Sequence, residues 1–201
     1  MKRFAVLISG NGGNLQAIIN AVKAGKINAK PVLVFSNKAE AFGLKRAKKA
    51  GIDTATLNPA DFPTRDAFDK AVLKILKAYK VDFIVLAGYM RLLSSVFIKA
   101  YPMKIINIHP ALLPSFKGAH GIEDAFKAGV KLTGVTVHFV VEEMDAGPII
   151  AQKSVEIKST DNLESLAARI HHAEHSLYPK SIDLFARGKV TFKQHRVIIS
   201  S

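Results

Sequence analysis

Short apolar segments alternate with amphipathic segments along the first half of the chain. The apolar segments have the length and composition of buried strands and lie at 4–8, 31–35, 54–57, 83–86 and 104–108. The intervening segments carry apolar side chains at helical spacing and lie at 14–24, 42–50, 64–79 and 94–100. This alternation of strands and helices predicts an α/β fold with a doubly wound, mostly parallel sheet.

The pattern changes after Pro110. A helix, two strands, a long helix and two short strands are predicted at 123–128, 132–141, 149–157, 161–184, 190–192 and 196–199. The strand at 149–157 alternates apolar and polar residues, which predicts an antiparallel edge of the sheet near the C-terminus. Asp161 is the predicted N-cap of the long helix. No repeat or linker interrupts the pattern, so 1–201 is predicted to be a single domain.

The composition is that of a globular protein. Hydrophobic residues make up 49% of the chain, and cysteine is absent, which excludes disulfides, thiol nucleophiles and cysteine-ligated metals. The apolar segment near the N-terminus stops at Ser9, which is too early for the core of a signal peptide or for a membrane span. We therefore expect a cytoplasmic protein that does not enter a membrane.

The chain is strongly basic, with 29 Lys and Arg residues against 16 Asp and Glu residues and a net charge of +13. Nucleic acid binding, phosphorylated or polycarboxylate substrates, or a generally basic proteome could each account for this charge. The basic residues are spread over several predicted helices and lack the aromatic pattern of RNA-binding surfaces. Charge by itself therefore favours the third explanation and predicts no nucleic acid partner.

The candidate catalytic residues surround two predicted turns. Asn107 and His109 are two positions apart, so both point to one face of a strand, and Pro110 forces the chain to turn there. Asp145 lies in a later turn, after another apolar strand. An amide donor for an oxyanion, an imidazole that transfers protons and a carboxylate that favours the charged ring are the components of acyl transfer. The alternative is that His109 and Asp145 are ordinary turn residues.

A glycine-rich segment from Ser9 to Gln16 joins the first strand to the first helix. Its glycines let backbone N–H groups approach an anion, and the helix N-terminus adds a partial positive charge. Leu15 stands where the dinucleotide fingerprint requires a third glycine, and no Gly-Lys-Ser/Thr of a Walker loop follows. The segment is therefore either a site for a phosphate monoester or a tight strand-to-helix turn.

Together these segments resemble the phosphoribosylglycinamide formyltransferase family, the folate-dependent enzymes of purine synthesis. The matching motifs follow the family's order over nearly the whole chain and are ISGNGGNLQAI (8–18), VFSNK (34–38), LAGYMR (86–91), NIHPALLP (107–114), GVTVHFV (134–140) and DAGPI (145–149). The resemblance implies a Rossmann-like formyltransferase fold and transfer of a formyl group from 10-formyltetrahydrofolate to the amine of 5-phosphoribosylglycinamide. It also implies a phosphate-binding half at 1–100 and a folate-binding and catalytic half at 101–201.

The resemblance also assigns residues to each part of the site. Asn107, His109 and Asp145 correspond to the formyl-transfer site of the family, where the aspartate keeps the histidine charged. The residues implied to bind the ribonucleotide are Gly12, Gly13, Asn14, His171, His172, Ala173 and Glu174. Those implied to bind the folate are Arg65, which faces its glutamate tail, and Met90, Arg91, Leu92, Leu93, Asn107, Val141, Glu142, Glu143, Met144 and Asp145.

Three positions depart from the family pattern. Gly13 and Ala111 stand where the family commonly has serine, and Ala119 replaces a bulky residue. The missing hydroxyl at position 13 removes one donor to a phosphate and leaves the backbone donor in place. These departures concern substrate affinity and leave the expected reaction unchanged.

The remaining histidines are not expected to be catalytic or to bind metal. His138 lies in a predicted strand and is expected to be a hydrogen-bonded core or edge residue. His171, His172 and His175 have a spacing that could suit a metal, but no carboxylate pair accompanies them at ligand geometry. We therefore expect them on a helix surface or at the rim of the substrate site, with no metal in the protein.

Three other functions are compatible with parts of the sequence. Methionyl-tRNA formyltransferases share the Asn-x-His and Asp residues but carry a further C-terminal domain of about a hundred residues, which is not expected in a chain that ends at Ser201. Formyltetrahydrofolate hydrolases carry an extra N-terminal regulatory domain, whereas here the first strand directly follows Met1. A non-catalytic nucleotide-binding module would not require Asn107, His109 and Asp145 together. Small-molecule substrates are expected, and a homodimer stays open.

Overall fold

The computed structural model describes residues 1–193 and 196–200. Seven strands form one sheet in the order β3-β2-β1-β4-β5-β6-β7. Their bounds are β1 Lys2–Ile8, β2 Ala29–Ser36, β3 Thr54–Thr56, β4 Phe83–Leu86, β5 Ile105–His109, β6 Leu132–Phe139 and β7 Ile149–Glu156. The predicted α/β fold with a doubly wound, mostly parallel sheet is confirmed. The single domain predicted over 1–201 includes residues 194, 195 and 201, which lie outside the described residues, and it stays a prediction.

Helices cover both faces of the sheet. Along the central strand β1, Phe4, Val6 and Ile8 pack into one core, whereas Ala5 and Leu7 pack into the other. Helices α1, α2 and α6 cover the first core and α3 and α4 the second; with α5, their bounds are α1 Gly13–Lys23, α2 Phe42–Lys49, α3 Arg65–Ala78, α4 Ser95–Ala100, α5 Gly121–Lys127 and α6 Leu163–Ala186. Burial on both faces explains why the strands are uninterrupted apolar segments in the sequence. No helix in the described part of the chain is long and apolar enough to cross a membrane.

The strand order reverses between β1 and β4. The chain moves outward from β1 to β2 and β3, and then returns to pair β4 with the other side of β1. Ligands of such sheets bind outside the carboxyl ends of the strands at this reversal. The loops that follow β1 and β4 meet there, because the Ser9 N–H donates to the Gly88 carbonyl at 3.0 Å and the Met90 N–H donates to Ser9 Oγ at 2.8 Å.

Strands β5, β6 and β7 form the predicted antiparallel edge of the sheet. Strand β6 ends at Phe139, two residues earlier than predicted, because the chain turns back at this point. The Phe139 N–H donates to the Pro148 carbonyl at 2.9 Å, and a Cβ at Gly147 would lie 1.7 Å from the Phe139 carbonyl oxygen. Strands β8 Val190–Lys193 and β9 Arg196–Ile199 pair with each other in a separate antiparallel sheet.

The start of the long helix α6 differs from the prediction. Asn162, not Asp161, is the N-cap: its side chain accepts from the Ser165 N–H at 2.8 Å, and Ser165 Oγ accepts from the Asn162 N–H. This reciprocal pair is a capping box. Asp161 instead forms an ion pair with Arg169, two turns into the helix, and accepts from the Lys158 N–H. The sequence offers two adjacent capping residues, and the ion pair decides between them.

Candidate active site

A cavity of about 530 Å³ opens beside the carboxyl ends of β4 and β5. All of the residues that the resemblance assigns to the folate line it, and His109 lines it as well. Three apolar side chains at its walls are well exposed: Met90 at 71%, Leu92 at 58% and Met144 at 49%. Exposed apolar side chains around a concave site are typical of a pocket for a partly apolar ligand. Their role in binding a folate stays a prediction.

The pairing of β5 with β6 sets Asn107 directly opposite His138. The two side chains form a hydrogen bond of 3.2 Å between Asn107 Nδ2 and His138 Nε2. His138 Nδ1 lies 2.9 Å from the Phe139 carbonyl, which can only accept, so Nδ1 carries the proton and Nε2 accepts from the amide. Within 1–193 and 196–200 the second N–H of the Asn107 amide has no hydrogen-bond partner, so it can donate into the cavity.

Burial determines the charge state of His138. The side chain is 2% exposed, and removal from water lowers the pKa of this imidazole from its usual value, although the hydrogen bond to the Phe139 carbonyl and the charge of Asp145 oppose the shift. A neutral ring also matches the hydrogen bonds, since a cationic imidazole could not accept from Asn107. His138 therefore orients the amide of Asn107 without contributing a charge.

His109 is the last residue of β5, and its side chain is 5% exposed. Its Nε2 lies 2.7 Å from the Phe116 carbonyl, and its Nδ1 lies 3.5 Å from Asp145 Oδ2. Both ring nitrogens thus face oxygen acceptors, and both contacts are satisfied together only when both nitrogens carry protons. This arrangement suits an imidazolium that can stabilise negative charge or release a proton.

Asp145 lies between the two imidazoles. Its Oδ2 faces His109 and also accepts from the Gly118 N–H at 2.8 Å, while its Oδ1 lies 3.7 Å from His138 Nε2. The backbone of Asp145 is left-handed, with φ at +52°, a conformation that Asp tolerates better than most residues. The sharp turn after β6 therefore brings a carboxylate back over the end of β5, and the three predicted catalytic residues lie together.

The glycine-rich segment forms the predicted strand-to-helix turn. Gly12 caps α1 with φ at +76°, in the left-handed region that favours glycine. Asn14 Nδ2 donates to Glu174 Oε2 at 3.1 Å, and His171 Nδ1 lies 2.9 Å from the same oxygen. This hydrogen bond to Glu174 raises the pKa of His171 above its usual value. The turn, Asn14, His171 and Glu174 are thus brought together at the N-terminus of α1.

Two residues predicted to bind the ribonucleotide lie on another face of α6. His172 and Ala173 line a second cavity of about 450 Å³ between α6 and β7, together with Lys153, Glu156 and Arg169. Ala173 is 2% exposed and belongs to a small apolar cluster between α6 and the sheet. Their assignment to the ribonucleotide stays a prediction, with packing as the observed role of Ala173.

His138 belongs to the same cluster as the three predicted catalytic residues, which its position in the sequence does not indicate. It is buried and hydrogen-bonded, as expected, but its hydrogen bond is to Asn107, and its Nε2 also lies 3.7 Å from Asp145 Oδ1. In the sequence it stands inside an apolar strand, and only the register of β5 against β6 shows what it faces.

Ala119, one of the departures from the family pattern, lines the main cavity. Within the described residues no group of three or more His, Asp or Glu side chains is arranged to hold a metal ion.

Comparison with known sequences gives extensive matches. Residues 2–182 match the family model described as formyl transferase. The phosphoribosylglycinamide formyltransferase of Escherichia coli (strain K12) is 45% identical over 190 residues, which cover 94% of this chain and 90% of that protein. The protein of the same name from Bacillus subtilis (strain 168) is 45% identical over 182 residues, covering 90% and 93% respectively.

Longer proteins and solved structures are similar as well. The trifunctional purine biosynthetic protein adenosine-3 of Gallus gallus is 48% identical over 188 residues, which cover 94% of this chain but only 19% of that protein. The crystal structure of glycinamide ribonucleotide transformylase 1 from Symbiobacterium toebii superposes with a TM-score of 0.98 at 46% identity, covering 100% of this chain and 95% of that chain. The matched sequences and the matched structure are thus each similar to this chain over nearly its whole length.

Proposed function

This chain belongs to the formyl transferase family, and from that premise we propose that it transfers the formyl group of 10-formyltetrahydrofolate to the amine of 5-phosphoribosylglycinamide in de novo purine biosynthesis. The observation that carries the proposal is the convergence of Asn107, His109 and Asp145 in the wall of one cavity. Two relatives that this chain matches over nearly their whole length are named phosphoribosylglycinamide formyltransferase, which supports the choice of acceptor. The folate is a co-substrate that enters and leaves with each turnover.

The first step joins the two substrates. The lone pair of the amine attacks the formyl carbon, and the carbonyl electrons move onto oxygen to give a tetrahedral oxyanion. The free N–H of the Asn107 amide donates to this oxygen, and His138 holds the amide in the orientation required. The imidazolium of His109 adds a positive charge beside the same oxygen. Because these donors are already fixed before the reaction, little reorganisation accompanies the developing charge.

The second step breaks the bond between the formyl carbon and N10 of the folate. The amine must lose one proton, and N10 must gain one before the folate leaves, so the transfer is balanced within the complex of enzyme and substrates. His109 and Asp145 form a buried acid–base pair 3.5 Å apart beside the reacting atoms. We assign the His109 imidazolium to donate a proton to N10 and then to accept the proton that the amine loses, while Asp145 stabilises the charge of the ring. The products are the ribonucleotide, with its amine converted to a formamide, and tetrahydrofolate.

The ribonucleotide is assigned to the glycine-rich segment at the N-terminus of α1. The phosphate suits this position because the first N–H groups of a helix have no acceptors within the helix and the helix dipole favours an anion. Beside this turn, Asn14 and His171 both contact the carboxylate of Glu174. The imidazole of His171, whose pKa is raised by its hydrogen bond to Glu174, supplies a cation when it is protonated, and Glu174 supplies an acceptor for a hydroxyl or amine of the substrate.

The folate is assigned to the main cavity, where apolar side chains and two arginines line the walls. The guanidinium of Arg91 lies 4.6 Å from the centre of the Phe68 ring, which holds it in place. Its Nε is buried and has no hydrogen-bond partner among the described residues, so it can donate to a carboxylate of the ligand. Arg65, at the start of α3, lines the same cavity and supplies a second cation for the glutamate tail.

A competition between acceptors tests the proposed reaction. The purified protein is given 10-formyltetrahydrofolate labelled in the formyl group, together with phosphoribosylglycinamide, initiator methionyl-tRNA, or water alone. We expect label in formyl-phosphoribosylglycinamide as the main product, with slow release of formate when no acceptor is present. The double variant Asn107→Ala/His109→Ala provides the background rate, because it keeps the cavity but lacks the catalytic donors.

The other outcomes assign other functions. Label in tRNA would overturn the choice of acceptor. Rapid release of formate that the ribonucleotide does not suppress would make the protein a hydrolase. Binding of the ribonucleotide with transfer no faster than in the double variant would make it a binding module.

A further inference from the structure

The side chain of Arg46 in helix α2 reaches the glycine-rich segment. Its Nε donates to the Asn11 carbonyl at 2.9 Å, one terminal nitrogen lies 3.3 Å from Asn11 Oδ1, and the other lies 3.2 Å from Gln16 Oε1. The guanidinium also lies over the Phe42 ring, 4.8 Å from its centre. The Phe42 ring therefore contacts the face of the planar guanidinium, and hydrogen bonds hold its edges. The same hydrogen bonds fix the loop that precedes α1.

The first turn of α2 holds the same segment at a second point. The Gly43 N–H donates to the Gly10 carbonyl at 3.0 Å. The contact is close, since a Cβ at Gly12 would lie 2.9 Å from the Cα of Gly43. Two successive carbonyls, those of Gly10 and Asn11, thus bond to α2.

These two bonds fix the direction of two N–H groups. A peptide group is planar and trans, so its C=O and its N–H point in opposite directions. The Asn11 carbonyl shares a peptide group with the Gly12 N–H, and the Gly10 carbonyl shares one with the Asn11 N–H. Because α2 holds both carbonyls on one side, both N–H groups face the other side. Among the described residues, the N–H groups of 11–15 donate to no protein atom.

We propose that Arg46 is a positioning residue for the phosphate of the ribonucleotide. By bonding to the Asn11 carbonyl, it orients the Gly12 N–H and aligns it with the free N–H groups at the start of α1. Arg46 does not contact the phosphate; it acts through the peptide group. This inference rests on the proposed function, because it takes the glycine-rich segment as the phosphate site.

The neighbouring residue Lys45 provides a control that distinguishes the positioning role of Arg46 from the effect of its charge. It lies on the same helix, is exposed, and its Nζ is 5.9 Å from the centre of the same Phe42 ring. In the described part of the chain it makes no hydrogen bond to the glycine-rich segment. Replacing either residue by methionine removes one positive charge near the site, but only Arg46→Met removes the bonds to Asn11.

Steady-state kinetics of Arg46→Met, Arg46→Lys and Lys45→Met test the proposal. We expect Arg46→Met to raise KM for the ribonucleotide about tenfold, the effect of losing a charge-assisted hydrogen bond. Both kcat and KM for the folate should stay near the wild-type values. Lys45→Met should leave all three constants unchanged. Arg46→Lys keeps the charge without the planar fork and should resemble Arg46→Met more than the wild type.

Three results would overturn positioning by Arg46. Equal constants for Arg46→Met and Lys45→Met would remove the role, and full recovery in Arg46→Lys would assign the effect to charge alone. A parallel rise in KM for both substrates would indicate general damage to the fold and would also overturn it. If the wild type neither binds nor formylates the ribonucleotide, the proposed function fails before any variant is compared.

A binding measurement tests the proposal without Arg46→Met, in case that variant folds poorly. The amide ¹⁵N–¹H resonance of Gly12 is followed while inorganic phosphate is added to the wild type, Lys45→Met and Arg46→Lys. We expect a saturable shift in the first two proteins and a weaker one in Arg46→Lys. The same shift in all three would contradict a role for Arg46 in orienting this N–H.

Discussion

Asp145 is the residue on which the proposed chemistry depends most. It lies between His109 and His138, accepts a backbone N–H, and is held in a left-handed turn. Removing the carboxylate leaves the buried imidazole of His109 without its counter-charge. It also removes the hydrogen bond to the Gly118 N–H. A single carboxylate thus links the proton-transfer residue to the side chain that orients Asn107, so loss of one member should affect the others.

Alanine at each of the three proposed catalytic positions should reduce turnover. We expect Asn107→Ala, His109→Ala and Asp145→Ala each to lower kcat by about 10²-fold or more, since each removes a donor, a charge or a proton carrier from the transition state. His120→Ala is the matched control, because His120 is a histidine whose side chain is 73% exposed. A variant at 107, 109 or 145 that kept nearly wild-type kcat would remove that residue from the mechanism.

Burial of His138 should make stability depend on pH. Its pKa is lowered in the folded protein, so the unfolded chain takes up a proton first as the pH falls below about 6.5. The contribution to stability is therefore complete above that pH and decreases on acidification. We expect the free energy of unfolding to fall less between pH 7.5 and 5.5 in His138→Gln than in the wild type, by up to about 1.4 kcal/mol per pH unit. Equal pH dependence in urea unfolding of the two proteins would contradict this account.

Among the elements, the junction of β1 and α1 depends on two adjacent glycines in different surroundings. Gly12 has a left-handed backbone and touches α2. Gly13 is the first residue of α1, and a Cβ added there would have His175 Nε2 as its nearest neighbour, at 3.4 Å. The first glycine is required by conformation and packing. The second is replaceable, which agrees with the serine that the family commonly carries there.

Alanine substitutions at these two glycines should therefore differ in sign. We expect Gly12→Ala to cost about 1–2 kcal/mol of stability, and more if α2 cannot move, and to raise KM for the ribonucleotide. Gly13→Ala should be neutral or stabilising by about 0.5–1 kcal/mol, because Ala favours a helix over Gly. Thermal unfolding and steady-state kinetics measure both effects. Equal losses in both variants, or an equal rise in KM for both substrates in Gly12→Ala, would contradict the assigned roles.

The boundaries of elements show where local pattern is insufficient. The apolar residues 140 and 141 predict that strand β6 continues to 141, but a turn closed by the contact of Gly147 with Phe139 ends it at 139. The N-cap of α6 is Asn162 and not the predicted Asp161 for a similar reason, the ion pair with Arg169. In both cases a contact across several residues outweighs the propensity of the residue itself.

For the molecule as a whole, the net charge of +13 produces a field that should attract two anionic substrates. Under the proposed function, kcat/KM should fall as salt is added, and more steeply for folates with longer glutamate tails. Comparing folates with short and long glutamate tails on the same protein controls for effects of salt on stability. If the salt dependence is the same for both folates, the charge has no role in capturing the tail and reflects a basic proteome.

The fold class and the candidate catalytic residues follow from the order of the amino acids. Buried parallel strands require continuous apolar segments, and amphipathic helices require apolar side chains at a spacing of three to four residues, so both are visible in a linear pattern. Asn107, His109 and Asp145 stand next to turns that proline and glycine mark in the sequence. The residues predicted to bind the folate are identified only through the resemblance, because they come from several separate loops.

Which distant residues act on one another depends on the packing of the elements. His138 faces Asn107 because of the register between β5 and β6, and Arg46 reaches Asn11 because α2 packs against the loop after β1. Conversely, His172 follows His171 in the sequence, but His171 contacts Glu174 whereas His172 lines the cavity between α6 and β7, since neighbouring residues on a helix point about 100° apart. Periodicity records which face of an element is buried; it carries no information on the partner that buries it.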